Sequence, residues 1–84
     1  MIPITIEKFV QMYMKSNKGE NKDLFMEELK ACVTDKKNGV KCIQCKKPIW
    51  AIGSAISGSH LCFKCTTGET DDSEDYEIDS VCKR

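Results

Sequence analysis

The chain has 84 residues, 31% of them charged and 40% hydrophobic, with thirteen basic and thirteen acidic side chains. That is room for a single domain over residues 1–84 whose small core needs a disulfide, a metal or a partner to supplement it. Zero net charge is unlike the clearly basic balance of most nucleic-acid-binding domains, and no run of about 18 apolar residues is present to span a membrane.

The balance is uneven along the chain. Residues 1–47 hold ten lysines against six acids, whereas residues 48–84 hold three basic residues against seven acids, all between Glu69 and Asp79. Met1-Ile2-Pro3-Ile4-Thr5 has no basic leader, and Glu7 and Lys8 interrupt any apolar stretch, so no export signal is expected. A cytoplasmic, soluble protein with reduced thiols follows as the expectation.

Residues 1–37 read as a helical hairpin. Ile6, Phe9, Val10 and Tyr13 recur with helical spacing behind Thr5, a good N-cap. Gly19, within Ser16–Asn21, marks the reversal. A second helix is predicted from Asn21 or Asp23, with Phe25, Leu29, Cys32 and Val33 on one face. Met12 and Met14 lie off the main face of the first helix. A helix wedged between its partner and the cysteine segment accounts for them, in preference to a Met-rich binding surface.

Residues 38–68 form the cysteine segment, opened by the turn signal Asn38-Gly39. Ile49-Trp50-Ala51-Ile52 and the stretch around Ala55-Ile56 are expected to be short strands, separated by the turn-prone Gly53-Ser54. Residues 69–84 are acidic and poor in apolar residues, which predicts a flexible tail, although Tyr76, Ile78 and Val81 leave open a short docked strand.

The chemistry lies in the cysteines. Cys42-x2-Cys45 and Cys62-x2-Cys65 are separated by sixteen residues. Each two-residue spacer lets one tight turn present two sulfurs to a single ion, and the interval is long enough to bring the second pair back to it. This spacing reads as one structural zinc ion held by four thiolates. A rubredoxin-like iron site would use the same ligands. Redox-active CxxC chemistry would need a thioredoxin-like βαβ setting that is missing here, and two disulfides would need an oxidising compartment. A catalytic zinc keeps a position open for water, whereas four cysteines close the shell, so no enzyme is expected. His60 reads as a turn residue near the site, Cys32 as a core residue and Cys82 as an exposed thiol.

The knuckles Cys42-Ile43-Gln44-Cys45 and Cys62-Phe63-Lys64-Cys65 resemble the paired turns of the zinc-ribbon superfamily over about thirty residues, Val40 to Gly68. Such knuckles commonly carry Gly just after the second cysteine, where this chain has Lys46 and Thr66. Joined to the helical hairpin and the acidic tail, the resemblance gives an expected α+β fold in which the hairpin packs on a small ribbon of antiparallel β-hairpins. It also implies a binding module. The partner is expected to be another protein, with nucleic acid as the rival and no membrane. Trp50, Lys46, Lys47 and Lys64 are the candidate interaction surface, Trp50 as a core residue or as an exposed stacking platform. The acidic run Glu69–Glu77 works against nucleic acid and could dock on the lysine-rich knuckles.

Overall fold

The computed structural model describes residues 1–82; Lys83 and Arg84, the end of the expected tail, lie outside them. Its elements run β1 (Ile2–Ile4), α1 (Ile6–Ser16), α2 (Lys22–Lys37), α3 (Ala51–Ser57), α4 (Phe63–Thr67), β2 (Tyr76–Ile78) and a 3-10 turn (Asp79–Val81). The class is therefore mixed α and β.

The two N-terminal helices start where their caps dictate. Thr5 Oγ1 accepts from the Lys8 amide at 3.2 Å, and Asn21 Oδ1 accepts from the Leu24 amide at 3.1 Å. α2 ends in a Schellman turn: Val40 N–H donates to Asp35 O at 3.0 Å and Gly39 N–H to Lys36 O at 3.1 Å. Gly39 sits at φ +84°, where a β-carbon would be strained. Tyr13 of α1 stacks on Phe25 of α2 with ring centroids 4.0 Å apart. The helix in the middle is α2, which packs on both α1 and α3. Met14 lies against the core, while Met12 is exposed.

Three expectations need correction. The strands over Ile49–Ile52 and around Ala55–Ile56 do not form; Ala51–Ser57 is helix instead. The run is too short for periodicity to separate a buried strand from a buried helix. Nor do the ribbon's antiparallel hairpins form. A single antiparallel bridge, Lys41 to Pro48, closes the first knuckle, and the sheet is a parallel pair of β1 and β2. Finally, the acidic segment folds back. Its first part, Glu69–Glu74, lies at the surface, but Glu77, Ile78 and Val81 are buried.

The parallel pair aligns Ile2 with Tyr76 and Ile4 with Ile78. A two-stranded sheet is marginal alone and offers edges for unwanted pairing. Here both strands are blunted. Pro3 has no N–H to offer, Tyr76 O accepts the Trp50 indole N–H at 2.8 Å, and Ile78 N–H donates to Glu77 Oε1 at 3.0 Å.

The apolar core is built from both ends of the chain and its middle: Ile4, Val10, Phe25, Leu29 and Val33 meet Ala51, Ile52, Ala55, Ile78 and Val81. Glu77 is fully buried among them. Its carboxylate accepts the Ala51 amide at 2.9 Å and the Ile52 amide at 3.4 Å, satisfying the first N–H groups of α3. Lys36 Nζ, at the end of α2, closes on Glu77 Oε2 at 2.7 Å. One carboxylate thus ties the tail, α2 and α3 together.

Candidate metal centre

The first knuckle is a tight turn stapled at its base. Cys42 N–H donates to Lys47 O at 2.7 Å and Lys46 N–H to Cys42 O at 3.0 Å. Lys46 takes φ +65°, the left-handed conformation that a glycine adopts without strain. The knuckle therefore has the turn geometry of a Gly-containing one, built with a lysine. The second knuckle differs. Cys62 is the N-cap of α4, so Cys65 lies in the helix's first turn and Thr66 stays helical.

Backbone hydrogen bonds bring the two knuckles together. Ile43 N–H donates to His60 O at 3.0 Å and Trp50 N–H to Leu61 O at 2.9 Å. Ser54 of α3 exchanges hydrogen bonds with the Leu61 backbone through its hydroxyl, at 3.2 and 3.3 Å. The interval between the CxxC pairs thus returns the chain as the spacing required, but by a helix.

The Sγ atoms of Cys42, Cys45, Cys62 and Cys65 all lie within 4.8 Å of one another, with Cys45 and Cys62 at 3.3 Å. A tetrahedral ion with metal–sulfur bonds of about 2.3 Å needs sulfurs about 3.8 Å apart, so the four thiols fit a single ion. None of them is in a disulfide. Cys42 and Cys62 are buried, whereas Cys45 is exposed and Cys65 half-buried.

The four thiols shift in opposite directions because they crowd one another. Burial alone would push the Cys42 thiol up, but N–H groups of Cys45, Cys62 and Gln44 and a hydrogen bond with Cys65 outweigh it and bring it down to about 6. Cys65, hydrogen-bonded to Cys62 and Cys42, is pushed up to about 12. Cys62 is lowered, its burial and its contact with Cys42 outweighed by the Cys65 amide and the Cys45 and Cys65 thiols. At Cys45 the Lys47 amide favours the thiolate, yet contacts with Cys62 and Cys42 and burial raise it overall. Four sulfurs this close share their protons unevenly because they cannot all ionise without a compensating positive charge. Backbone N–H groups already point at two of them, Gln44 to Cys42 at 3.4 Å and Cys65 to Cys62 at 3.5 Å. Such donors orient and stabilise thiolate ligands.

His60 takes the turn-residue role: its Nε2 lies 3.0 Å from Asp35 Oδ2 of α2, tying the second knuckle's approach to the helical hairpin. Trp50 is half-buried, with its ring edge-on to Phe63 at a centroid distance of 5.0 Å. Lys47 and Lys64 line a surface groove with it, and Lys46 is not part of that lining. Cys32 is half-buried beside the core. Cys82 is also half-buried rather than exposed, its thiol 3.7 Å from Met1 O.

The sequence assigns no role to Lys36 or to Glu77 as a buried residue. For Glu77 the signal was its place between two apolar residues, Tyr76 and Ile78, in an otherwise solvated run. Gly53 reads as a turn, yet it is helical and lies directly beneath the Trp50 ring. The sequence matches no protein-family model, no curated protein and no solved structure. No helix among the described residues is long and apolar enough to cross a membrane.

Proposed function

We propose that the chain is a non-enzymatic, cytoplasmic adaptor of one domain, in which Cys42, Cys45, Cys62 and Cys65 bind one structural zinc ion that holds a protein-interaction surface in shape. The observation that carries this reading is the convergence of four free thiols within 4.8 Å, two of them receiving backbone N–H groups. Four thiolates leave no coordination position for water or substrate, which favours a structural ion over a catalytic one. Zinc is the natural occupant of a closed tetrahedral thiolate set, and iron is its competitor. Native mass spectrometry of protein purified without added metal should give one zinc per chain. A visible thiolate-to-iron absorption band would move the reading to electron transfer.

Nucleic acid is the second reading, favoured by Trp50 beside Lys47 and Lys64. The seven acids between Glu69 and Asp79 oppose it, because their field repels phosphate. Binding to single- and double-stranded oligonucleotides across a salt series separates the two. A steep loss of affinity with salt would support phosphate contacts, whereas an adaptor shows no measurable binding at physiological salt.

A further inference from the structure

A groove of about 400 Å³ runs beside the metal centre, and Cys62 forms part of its wall. Its lining includes Trp50, Phe63, Lys47, Lys64, Glu69 and Asp72. The aromatic part is held rigidly. The Trp50 indole N–H donates to Tyr76 O at 2.8 Å, Phe63 meets the ring edge-on, and Gly53 supports the ring's other contact with α3. Because that ring is already immobilised, a ligand that packs on it incurs little further ordering cost. A fixed tryptophan in the wall of a small cavity is also the type of residue that dominates binding energy at protein interfaces.

The polar part of the lining carries both signs. Lys47 and Lys64, one from each knuckle, are exposed and make no ion pair among the described residues. Glu69 and Asp72 come from the segment after α4. Glu69 makes no ion pair among the described residues, and Asp72 meets only the Met1 amine, at 3.4 Å. A ligand of a single sign meets repulsion from one half of this lining. A polyanion such as a nucleic-acid strand meets it from the whole acidic run as well. A ligand of mixed sign satisfies both halves.

We propose that this groove binds an extended segment of a partner protein in which an aromatic or large aliphatic residue is flanked by a carboxylate on one side and by Lys or Arg on the other. The apolar residue packs on Trp50 and Phe63, the carboxylate meets Lys47 and Lys64, and the basic residue meets Glu69 and Asp72. This rests on the adaptor reading and gives it a surface and a partner chemistry. It also links the surface to the metal, since Cys62 and both lysines are placed by the knuckles.

The test is selection of random-sequence linear peptides, displayed on phage, against the metal-loaded full chain. The expected result is enrichment of sequences with an acid, an apolar anchor and a base in close succession. A synthetic copy of the selected peptide should then bind Lys47→Glu/Lys64→Glu about tenfold more weakly, and exchanging the peptide's acid for lysine should restore that binding. Both lysines are exposed, so unchanged metal stoichiometry verifies that the variant is folded. Peptides that bind wild type and variant equally would overturn the groove while leaving the adaptor reading standing. A chain that enriches no peptide but binds single-stranded DNA would overturn both, and a chain that enriches nothing would overturn the groove.

Discussion

The cysteine knuckles and the helix between them are neighbours in sequence but are held by different forces. In the first knuckle only Cys42 is buried; Lys41, Ile43, Gln44, Cys45, Lys46, Lys47 and Pro48 are all exposed. Cys42 is thus the one buried side chain of that turn. α3 is the opposite case, with Ala51 to Ala55 all buried and three of them in the central core. Its first amides are satisfied by Glu77, a residue 25 positions away. The difference teaches that one interval can contain a turn whose own side chains are mostly exposed and a helix that is held by the rest of the chain. It also predicts that the two can be separated.

Removal of the metal is the strongest way to break this comparison. Thiolate-bound zinc is worth about 10–16 kcal/mol in small peptides, more than the net stability of most domains. Chelation is expected to release residues 40–48 and 58–68 while α3 stays packed. Hydrogen exchange should show the Ile43 and Cys65 amides losing protection and the Ser54 amide, bonded to Trp50 O, keeping it. Melting of α3 together with the knuckles would show that the core does not hold it. Rebinding has its own signature. Cys45 and Cys65 are raised and remain protonated at neutral pH, so metal uptake should release at least two protons. Affinity should therefore rise with pH across the neutral range, which calorimetry in buffers of different ionisation enthalpy can measure.

The next largest effect should come from the other side of the comparison. Glu77→Ala leaves Lys36 without its partner and the Ala51, Ile52 and Ile78 amides without their acceptor. Breaking a buried ion pair on one side costs about 3–5 kcal/mol, which in a domain of this size lowers the thermal midpoint by more than about 10 °C. Glu77→Gln retains an acceptor and should lose less. In both variants the metal stoichiometry should stay at one per chain, because none of the ligands touches this carboxylate. Loss of the metal in Glu77→Ala would show that the two regions are one cooperative unit.

These two regions also differ in how far the sequence discloses them. Helices α1 and α2 are legible because their caps, Thr5 and Asn21, and their apolar spacing are local signals that agree with one another. The convergence of Cys42, Cys45, Cys62 and Cys65 is legible because two-residue spacing is itself the geometry of a knuckle. α3 is not legible, since a run of apolar and small residues is equally compatible with a strand. The decisive factor, a carboxylate from the far end of the chain, leaves no mark in that run. The tail misleads for the same reason. Its composition reads as solvated, and the burial of Glu77 depends on Lys36, 41 residues earlier. Only the alternation Tyr76-Glu77-Ile78 hints at a strand.

A smaller effect is expected at the contact between α3 and Trp50. A β-carbon on residue 53 would overlap Cε3 of the indole and stand 2.9 Å from Cζ3, so Gly53→Ala must displace the ring. Alanine favours the helix by about 1 kcal/mol over glycine, while overpacking costs about 1–3 kcal/mol, so the net change should be a modest destabilisation. The more specific readout is tryptophan fluorescence. A displaced indole loses its hydrogen bond to Tyr76 O, and its emission should shift to the red with the knuckles still loaded. Unchanged emission would mean that α3 yields rather than the ring, and that it is held less firmly than its burial suggests.

The smallest effect compares the two knuckles with each other. Both carry a non-glycine residue just after their second cysteine, but the structure puts the two in different conformations. Lys46 is left-handed, at a cost of about 1–2 kcal/mol for an L-residue, of which glycine's greater freedom in the unfolded chain returns about 0.5–1 kcal/mol. Lys46→Gly should therefore stabilise the knuckle by up to about 1.5 kcal/mol, or tighten metal binding up to about tenfold. Thr66 is helical, and its hydroxyl donates to Cys62 O at 2.8 Å. Thr66→Gly gives up that bond and places glycine in a helix, so it should weaken binding by a similar factor. Competition titrations against a metal indicator resolve changes of this size. Opposite signs at the two positions would establish that one pair of ligands sits on a turn and the other on a helix. The same sign at both would mean that the second knuckle rearranges into a turn like the first when the metal binds.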